Sequence, residues 1–132
     1  MTFTPENSVL LLIDFQARLM PAISGAEAAI ANAVRLAKAA KLLDIPVRGT
    51  EQNPAGLGHN LDELASFSGA TLAKNYFDAT AESGWDGFLP PDRRNVVVAG
   101  CETHVCVLQT VLGMLGKGFA VRLVRDAVGS RT

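Results

Sequence analysis

The segment from Asn95 to Val107 constrains the fold more than any other part of this sequence. Four apolar residues, Val96 to Ala99, precede Gly100, and three of them are β-branched. Such a run is typical of a strand that is buried on both faces. After the glycine, apolar side chains recur at helical spacing from Val107 to Leu115. We therefore predict a strand, a glycine turn and a helix that begins near Thr103, a residue type that caps helices.

Cys106 lies in the first turn of this predicted helix. Unpaired N–H groups and the positive end of the helix dipole favour a negative charge there. We therefore expect the pKa of its thiol to lie below that of a free cysteine, which would make the thiol more nucleophilic. The alternative is a small buried core residue, as many free cysteines are. The local sequence leaves both interpretations open.

Composition and charge exclude several classes of protein. The 132 residues are 48% hydrophobic and 19% charged, with a formal net charge of −1, so we expect one globular domain over residues 1–132. The basic residues are scattered, which argues against nucleic acid and membrane surfaces as partners. No apolar run approaches the ~20 residues of a membrane span. The first residues show no secretory signal pattern, so we expect a cytoplasmic protein with two free cysteines.

Strands and helices alternate along the chain. The predicted strands are Ser8–Ile13, a short second strand that reaches Thr50, Ala70–Ala73, Asn95–Ala99 and Phe119–Val124. The predicted helices are Ala26–Leu43, the helix near Thr103, and two short helices at Asn60–Phe67 and Glu82–Phe88. This alternation predicts a three-layer α/β/α fold, in which a parallel sheet of about five strands carries helices on both faces.

Three reactive side chains lie at the carboxyl ends of different predicted strands. Asp14 follows the first strand, Lys74 ends the third, and Cys106 follows the fourth. The carboxyl ends of parallel strands share one edge of the sheet, where open α/β sheets bind their ligands. An acid, an amine and a thiol at one edge predict a catalytic site.

Several motifs resemble those of the isochorismatase-like cysteine hydrolases. The matching segments are Leu10–Gln16, Leu72–Lys74 and Gly100–Val107. Thr50–Gln52 and Asp126–Arg131 further resemble the branch of isochorismatase-domain proteins. The resemblance covers nearly the whole chain, and it implies the strand order 3-2-1-4-5.

The resemblance also implies a mechanism. Asp14 would act as general base, Lys74 as a cation and Cys106 as nucleophile. A non-proline cis peptide between Cys101 and Glu102 would direct the backbone N–H groups of Glu102 and Cys106 into an oxyanion hole. The implied activity is hydrolysis of an amide-like C–N bond in a small molecule through a thioester.

Four further residues are candidates for the substrate pocket. Phe15, Gln52, Tyr76 and His104 each lie beside a catalytic candidate or on the same edge, and their mixture predicts a small polar substrate. Nicotinamidases of the resembling family carry an Asp-x-His metal site after the second strand, where this chain has Glu51–Asn53. We therefore expect no metal and no cofactor.

The resemblance also raises two structural questions. Relatives continue with another helix and a sixth strand, so we expect a shortened domain whose exposed sheet edge favours a homo-oligomer, a dimer or higher. In the implied strand order, the strand of Lys74 lies two strands from the first, roughly 9–10 Å away. Lys74 must therefore extend fully, or its loop must bend, to reach the other catalytic residues.

Two rival interpretations remain open. The first is a non-catalytic protein that uses the same crevice for binding or assembly. The second is a zinc or redox site formed by Cys101, His104 and Cys106, which would lack the fourth ligand of a structural zinc site.

Overall fold

The computed structural model describes residues 2–131 and contains a parallel sheet of five strands. The strands are β1 (Ser8–Ile13), β2 (Val47–Gln52), β3 (Ala70–Lys74), β4 (Asn95–Cys101) and β5 (Ala120–Gly129). Their order is β3-β2-β1-β4-β5, and every neighbouring pair is parallel. The predicted fold class and strand order are therefore confirmed.

Helices complete the two outer layers. They are α1 (Ala26–Leu42), α2 (Pro54–Leu57), α3 (Asp62–Ala65) and α4 (Leu108–Gly116), with 3₁₀ turns at Met20–Ala22 and Ala79–Ala81 and a π-helical turn at Thr103–Val107. Within residues 2–131, no helix has both the length and the apolar character needed to cross a membrane.

The central strand β1 explains why the core has two halves. Its six residues are all buried, and successive side chains point to opposite faces of the sheet. Leu10 and Leu12 pack in the apolar cluster that includes α1. Val9, Leu11 and Ile13 pack in the cluster that includes α4. A strand covered on both faces therefore needs an uninterrupted apolar sequence.

The contact between β1 and β4 depends on Gly100. Its φ angle is +150°, and a Cβ atom at this position would collide with the carbonyl oxygen of Ile13. Any larger residue would separate the two strands at the edge of the sheet where the site lies. The glycine turn predicted after the apolar run is thus a point of close strand approach inside β4.

Two predicted elements differ from the structure. The helix predicted at Glu82–Phe88 is wrong, because this segment forms turns and Gly87 adopts a φ of +83°, which helices do not contain. Trp85 is nevertheless buried, with its ring 6.1 Å from that of Phe119.

β5 extends well beyond the predicted Phe119–Val124. Val98 of β4 pairs with Leu123, whereas Gly100 pairs with Val128. The extra residues form an irregularity in β5, which re-aims the end of the strand. As a result, Gly129 lies beside Cys101.

Candidate active site

An ion pair links the ends of β1 and β3. Lys74 Nζ lies 2.9 Å from Asp14 Oδ2, and both side chains are fully buried. Asp14 adopts a left-handed backbone conformation, with a φ of +57°, directly after β1. Non-glycine residues in this region cluster at functional sites. The structure therefore brings together the two charged residues that the sequence placed at the edge.

Strand β2 lies between these two residues and supplies a hydrogen bond to each. Thr50 Oγ1 donates to Asp14 Oδ1 at 2.7 Å, and Lys74 Nζ donates to Gln52 Oε1 at 2.6 Å. Gln52 is also the residue of β2 that pairs with Lys74. Lys74 therefore spans the intervening strand, and neutral groups of β2 help to fix the orientation of the acid and the amine.

Cys106 lies in the π-helical turn between β4 and α4, and not in the first turn of an α-helix. The N–H of Val107 donates to the carbonyl of Glu102 at 3.1 Å, a separation of five residues that defines this turn. Glu102 occupies the N-cap position and makes no side-chain capping bond, whereas Ser130 Oγ accepts from the N–H of Thr103 at 3.0 Å. The prediction that Thr103 is the cap is therefore wrong.

The pKa of Cys106 is raised to about 12, so the predicted lowering is wrong. Burial is the largest cause, and the charge and hydrogen bond of Asp14 add to it, whereas Lys74 acts in the opposite direction. The prediction from the sequence considered the helix terminus and the Lys74 amine, which lower the pKa, but not the burial of the thiol, which raises it. The thiol is therefore protonated at neutral pH.

The thiol opens onto a cavity of about 340 Å³. Its polar lining residues are Asp14, Gln52, Glu102, Cys106 and Arg131. Its apolar lining residues are Leu19, Leu57, Phe77 and Val105. A cavity of this size is at the lower end of the range for small-molecule sites.

Among the four predicted pocket residues, only Gln52 lines this cavity. Phe15 is buried in the core on the α1 face of the sheet. Tyr76 is 58% exposed, and the adjacent Phe77 takes the place at the cavity. His104 is exposed, and its Nδ1 lies 2.9 Å from Ser130 Oγ.

The peptide bond between Cys101 and Glu102 is cis, as the resemblance implied. The N–H of Glu102 has no hydrogen-bond acceptor among residues 2–131. Glu102 lines the cavity together with Cys106. An unpaired main-chain donor of a residue that lines a cavity is the kind of group from which oxyanion holes are built.

The contact between Glu102 and Arg131 was not predicted. Arg131 Nη2 lies 3.0 Å from Glu102 Oε1, and the Arg131 main-chain N–H and Nε both donate to Oε2 at 3.2 Å. Burial alone would raise the pKa of the Glu102 carboxyl, but these hydrogen bonds and the guanidinium charge lower it below its usual value. Arg131 lies in a motif that the sequence singled out, yet nothing local assigned it a partner.

Metal-ligating side chains are dispersed in the described part of the chain. Among residues 2–131, no three His, Cys, Asp or Glu side chains are grouped closely enough to hold a metal ion. In the region that differs from nicotinamidases, Glu51 Oε1 lies 3.1 Å from Nδ1 of His59, whose side chain is 83% exposed.

Comparison with known proteins places this chain in a family. Isochorismatase domain-containing protein 2 of Rattus norvegicus is 34% identical over 128 residues, which are 97% of this chain and 61% of that protein. Isochorismatase domain-containing protein 1 of Danio rerio is 39% identical over 132 residues, or 98% of this chain and 46% of that protein. This chain therefore spans about half to three fifths of the length of these relatives.

A solved structure agrees with the sequence comparison. MAR1 ribonuclease from Caenorhabditis elegans superposes with a TM-score of 0.92 at 35% identity, covering 100% of this chain and 69% of that chain. A family model described as the isochorismatase domain matches residues 8–132. This chain therefore belongs to the isochorismatase domain family.

Proposed function

We propose that this chain is a cysteine hydrolase that cleaves the C–N bond of a small amide-like molecule through a thioester on Cys106. Proteins of the isochorismatase family are generally hydrolases. The observation that carries the specific proposal is the buried ion pair of Lys74 and Asp14, whose two groups both act on the Cys106 thiol. Asp14 and Cys106 are also both among the residues that line the cavity.

The first half of the proposed reaction forms the thioester. Asp14 takes the thiol proton as sulfur attacks the carbonyl carbon, and the π electrons move to the carbonyl oxygen. Because the pKa of the thiol is raised to about 12, proton transfer accompanies the attack and no thiolate accumulates beforehand. The N–H groups of Glu102 and Cys106 stabilise the oxyanion. The oxyanion then collapses, and the C–N bond breaks as Asp14 returns the proton to the leaving nitrogen.

The second half hydrolyses the thioester. Asp14, again a carboxylate, removes a proton from water as the water oxygen attacks the acyl carbon. The C–S bond then breaks, the proton passes to sulfur, and a carboxylic acid leaves. Lys74 keeps a positive charge beside Asp14 throughout, which favours the carboxylate that each half-reaction needs. The described residues thus supply the base, the nucleophile and a donor for the oxyanion.

The cavity indicates the size and polarity of the substrate. Its volume of about 340 Å³ suits a small molecule and excludes a folded polypeptide. Leu19, Leu57, Phe77 and Val105 offer apolar contacts on a substrate whose amide group faces the polar residues. We therefore propose a small amide or carbamoyl compound with a compact apolar part.

Release of ammonia from a panel of small amides and carbamoyl compounds tests this function. The wild-type protein should turn over at least one of them, and Cys106→Ala should reduce the rate to the uncatalysed level because the nucleophile is lost. Cys101→Ala is the matched control, since Cys101 is a buried thiol that does not line the cavity. Equal turnover by wild type and Cys106→Ala would refute the proposal.

Two other functions are tested on the same variants with other readouts, because neither RNA cleavage nor ligand binding releases ammonia. The similar protein from Caenorhabditis elegans is named a ribonuclease, so RNA cleavage is followed by gel electrophoresis and ligand binding by calorimetry. The net charge of −1 disfavours RNA as a substrate, because phosphate contacts dominate nucleic-acid affinity. Cleavage of RNA that depends on Cys106 would replace our proposal. Ligand binding without turnover of any compound would favour the non-catalytic alternative.

We also propose that the chain acts in the cytoplasm and as a homo-oligomer. Among residues 2–131, β5 pairs only with β4 and therefore forms an edge of the sheet, and Leu123 on this strand is exposed. Leu108, Leu112 and Leu115 of α4 are also exposed. Apolar residues beside an open edge support self-association, and sedimentation equilibrium that finds only monomer would contradict it.

A further inference from the structure

We infer that Arg131 is a positioning residue, which holds the Glu102 N–H in place as an oxyanion donor through its ion pair with the Glu102 side chain. This inference rests on the proposed function and adds a residue to its machinery. Arg131 need not touch the reacting atoms, because its partner Glu102 carries the donor. The argument depends on what Glu102 contacts and on what its N–H lacks.

Glu102 occupies the single position between the end of β4 and the π-helical turn of Cys106. Its N–H has no acceptor among residues 2–131, so no hydrogen bond of its own fixes the direction of this donor. Its carboxylate, in contrast, has three contacts with Arg131, at 3.0, 3.2 and 3.2 Å. The Glu102 carbonyl also accepts from the N–H groups of Val105 and Val107, so the carbonyl and the side chain together set the orientation of the residue, and Arg131 holds the side-chain part.

Burial makes this ion pair asymmetric. The Glu102 side chain is 9% exposed, whereas that of Arg131 is 64% exposed. Arg131 could remain solvated without its partner, but Glu102 would leave a buried carboxylate without a counter-charge. Loss of the Arg131 side chain should therefore displace Glu102 more than loss of the Glu102 carboxylate would displace Arg131.

The residues next to Arg131 secure the neighbouring part of the turn. Ser130 Oγ accepts a hydrogen bond from the N–H of Thr103 at 3.0 Å. The Ser130 carbonyl accepts from the N–H of Ser24 at 2.8 Å, which anchors this segment to the α1 side of the molecule. Gly129 pairs with Cys101 because of the irregularity in β5. Three successive residues, Gly129 to Arg131, thus contact the three successive residues from the end of β4 to the start of the turn.

The experiment uses propionaldehyde, which needs an oxyanion donor but no turnover. The Cys106 sulfur adds to the aldehyde carbon, the π electrons move to the carbonyl oxygen, and Asp14 takes the thiol proton, so the adduct is a hemithioacetal oxyanion that the Glu102 N–H stabilises. Its affinity is measured as protection of Cys106 from alkylation by iodoacetamide, followed by mass spectrometry. The aldehyde carries no charge, so a direct contact between Arg131 and a substrate anion would not affect the result.

Arg131→Gln and Glu102→Gln should each weaken propionaldehyde binding about tenfold or more, as loss of an oxyanion donor does in other enzymes. The double variant should bind no more weakly than either single variant, because the two residues act as one unit. Alkylation without aldehyde should change less than about twofold, since Arg131 is not among the groups that shift the pKa of Cys106. Arg125→Gln, an exposed arginine of β5 without a hydrogen bond or ion pair among residues 2–131, is the matched control.

Unchanged aldehyde affinity in both single variants would overturn the inference. Losses of affinity that add up in the double variant would overturn it too, as would a loss of alkylation rate as large as the loss of aldehyde affinity. A wild-type protein that does not bind the aldehyde would overturn it as well. If Arg131→Gln fails to fold, Arg131→Lys, which keeps the charge but loses the planar fork, should show the same selective loss. A wild-type protein that binds aldehyde but hydrolyses no amide would refute the proposed function and leave this inference standing.

Discussion

At the scale of single residues, Cys106 is held between opposing influences. Burial and the Asp14 carboxylate raise the pKa of its thiol, and Lys74 lowers it. The carboxylate that disfavours a free thiolate is also the group best placed to accept the thiol proton. A neutral thiol in the resting state is therefore compatible with a base-assisted nucleophile.

Removal of Asp14 and removal of Lys74 should shift the pKa of the Cys106 thiol in opposite directions. Asp14→Asn removes a negative charge and should lower the pKa, whereas Lys74→Met removes a positive charge and should raise it. The rate of iodoacetamide alkylation of Cys106 at alkaline pH reports the shift. A lower pKa increases the fraction of thiolate, but the thiolate is then less nucleophilic, which offsets part of the gain. Together these two effects should change the alkylation rate about threefold for each pKa unit.

Folding has to be checked in the same experiment. Lys74→Met leaves a buried carboxylate unpaired, which costs about 3–5 kcal/mol, so alkylation is measured well below the melting temperature of each variant. The Cys101→Ala single variant is the control that shows that the alkylation signal belongs to Cys106. Shifts of the same sign in both variants would contradict the arrangement of charges described above.

At the scale of elements, the close approach of β1 and β4 positions the site. Asp14 follows β1, and the turn that carries Cys106 follows β4, so their separation depends on the contact at Gly100. A side chain at Gly100 would collide with a main-chain oxygen of Ile13, which cannot rotate away as a side chain can. The glycine thus serves the packing of two strands from a position inside β4.

Gly100→Ala should destabilise the protein by about 3 kcal/mol or more, since overpacking in a core costs about 1–3 kcal/mol and the φ of +150° adds strain. Urea unfolding measures the change. Gly116→Ala is the matched control, because a Cβ at Gly116 meets no atom within 4 Å. This control should have little effect or stabilise slightly, as alanine does in helices. Equal stability of the two variants would contradict the proposed packing.

Sequence patterns predicted some elements better than others, for physical reasons. β1 was predicted to the residue because both of its faces are buried and its apolar run is continuous. The helix predicted at Glu82–Phe88 was wrong because Gly87 adopts a left-handed backbone, which a continuous helix does not contain. β5 was cut short because its irregularity depends on pairing with β4, which the sequence of β5 alone does not encode.

At the scale of the whole molecule, topology was the strongest predictor of the site. Parallel strands place their carboxyl ends together, so Asp14 and Lys74 could be assigned to one edge from 60 positions apart. The pocket lining was harder to predict, because it depends on which side chains remain exposed after packing. Tyr76 and Phe77 are adjacent and both aromatic, and only the folded chain shows that Phe77 is the one that lines the cavity.

The central claim is that Cys106 bonds covalently to the substrate during turnover, and intact-protein mass spectrometry tests it most directly. Protein quenched in acid during turnover of an active amide should gain the mass of the acyl group, and fragmentation should place this group on Cys106. Cys106→Ala should gain no mass under the same conditions. Turnover with no adduct on Cys106 even at the earliest times, together with activity in Cys106→Ala, would contradict the account.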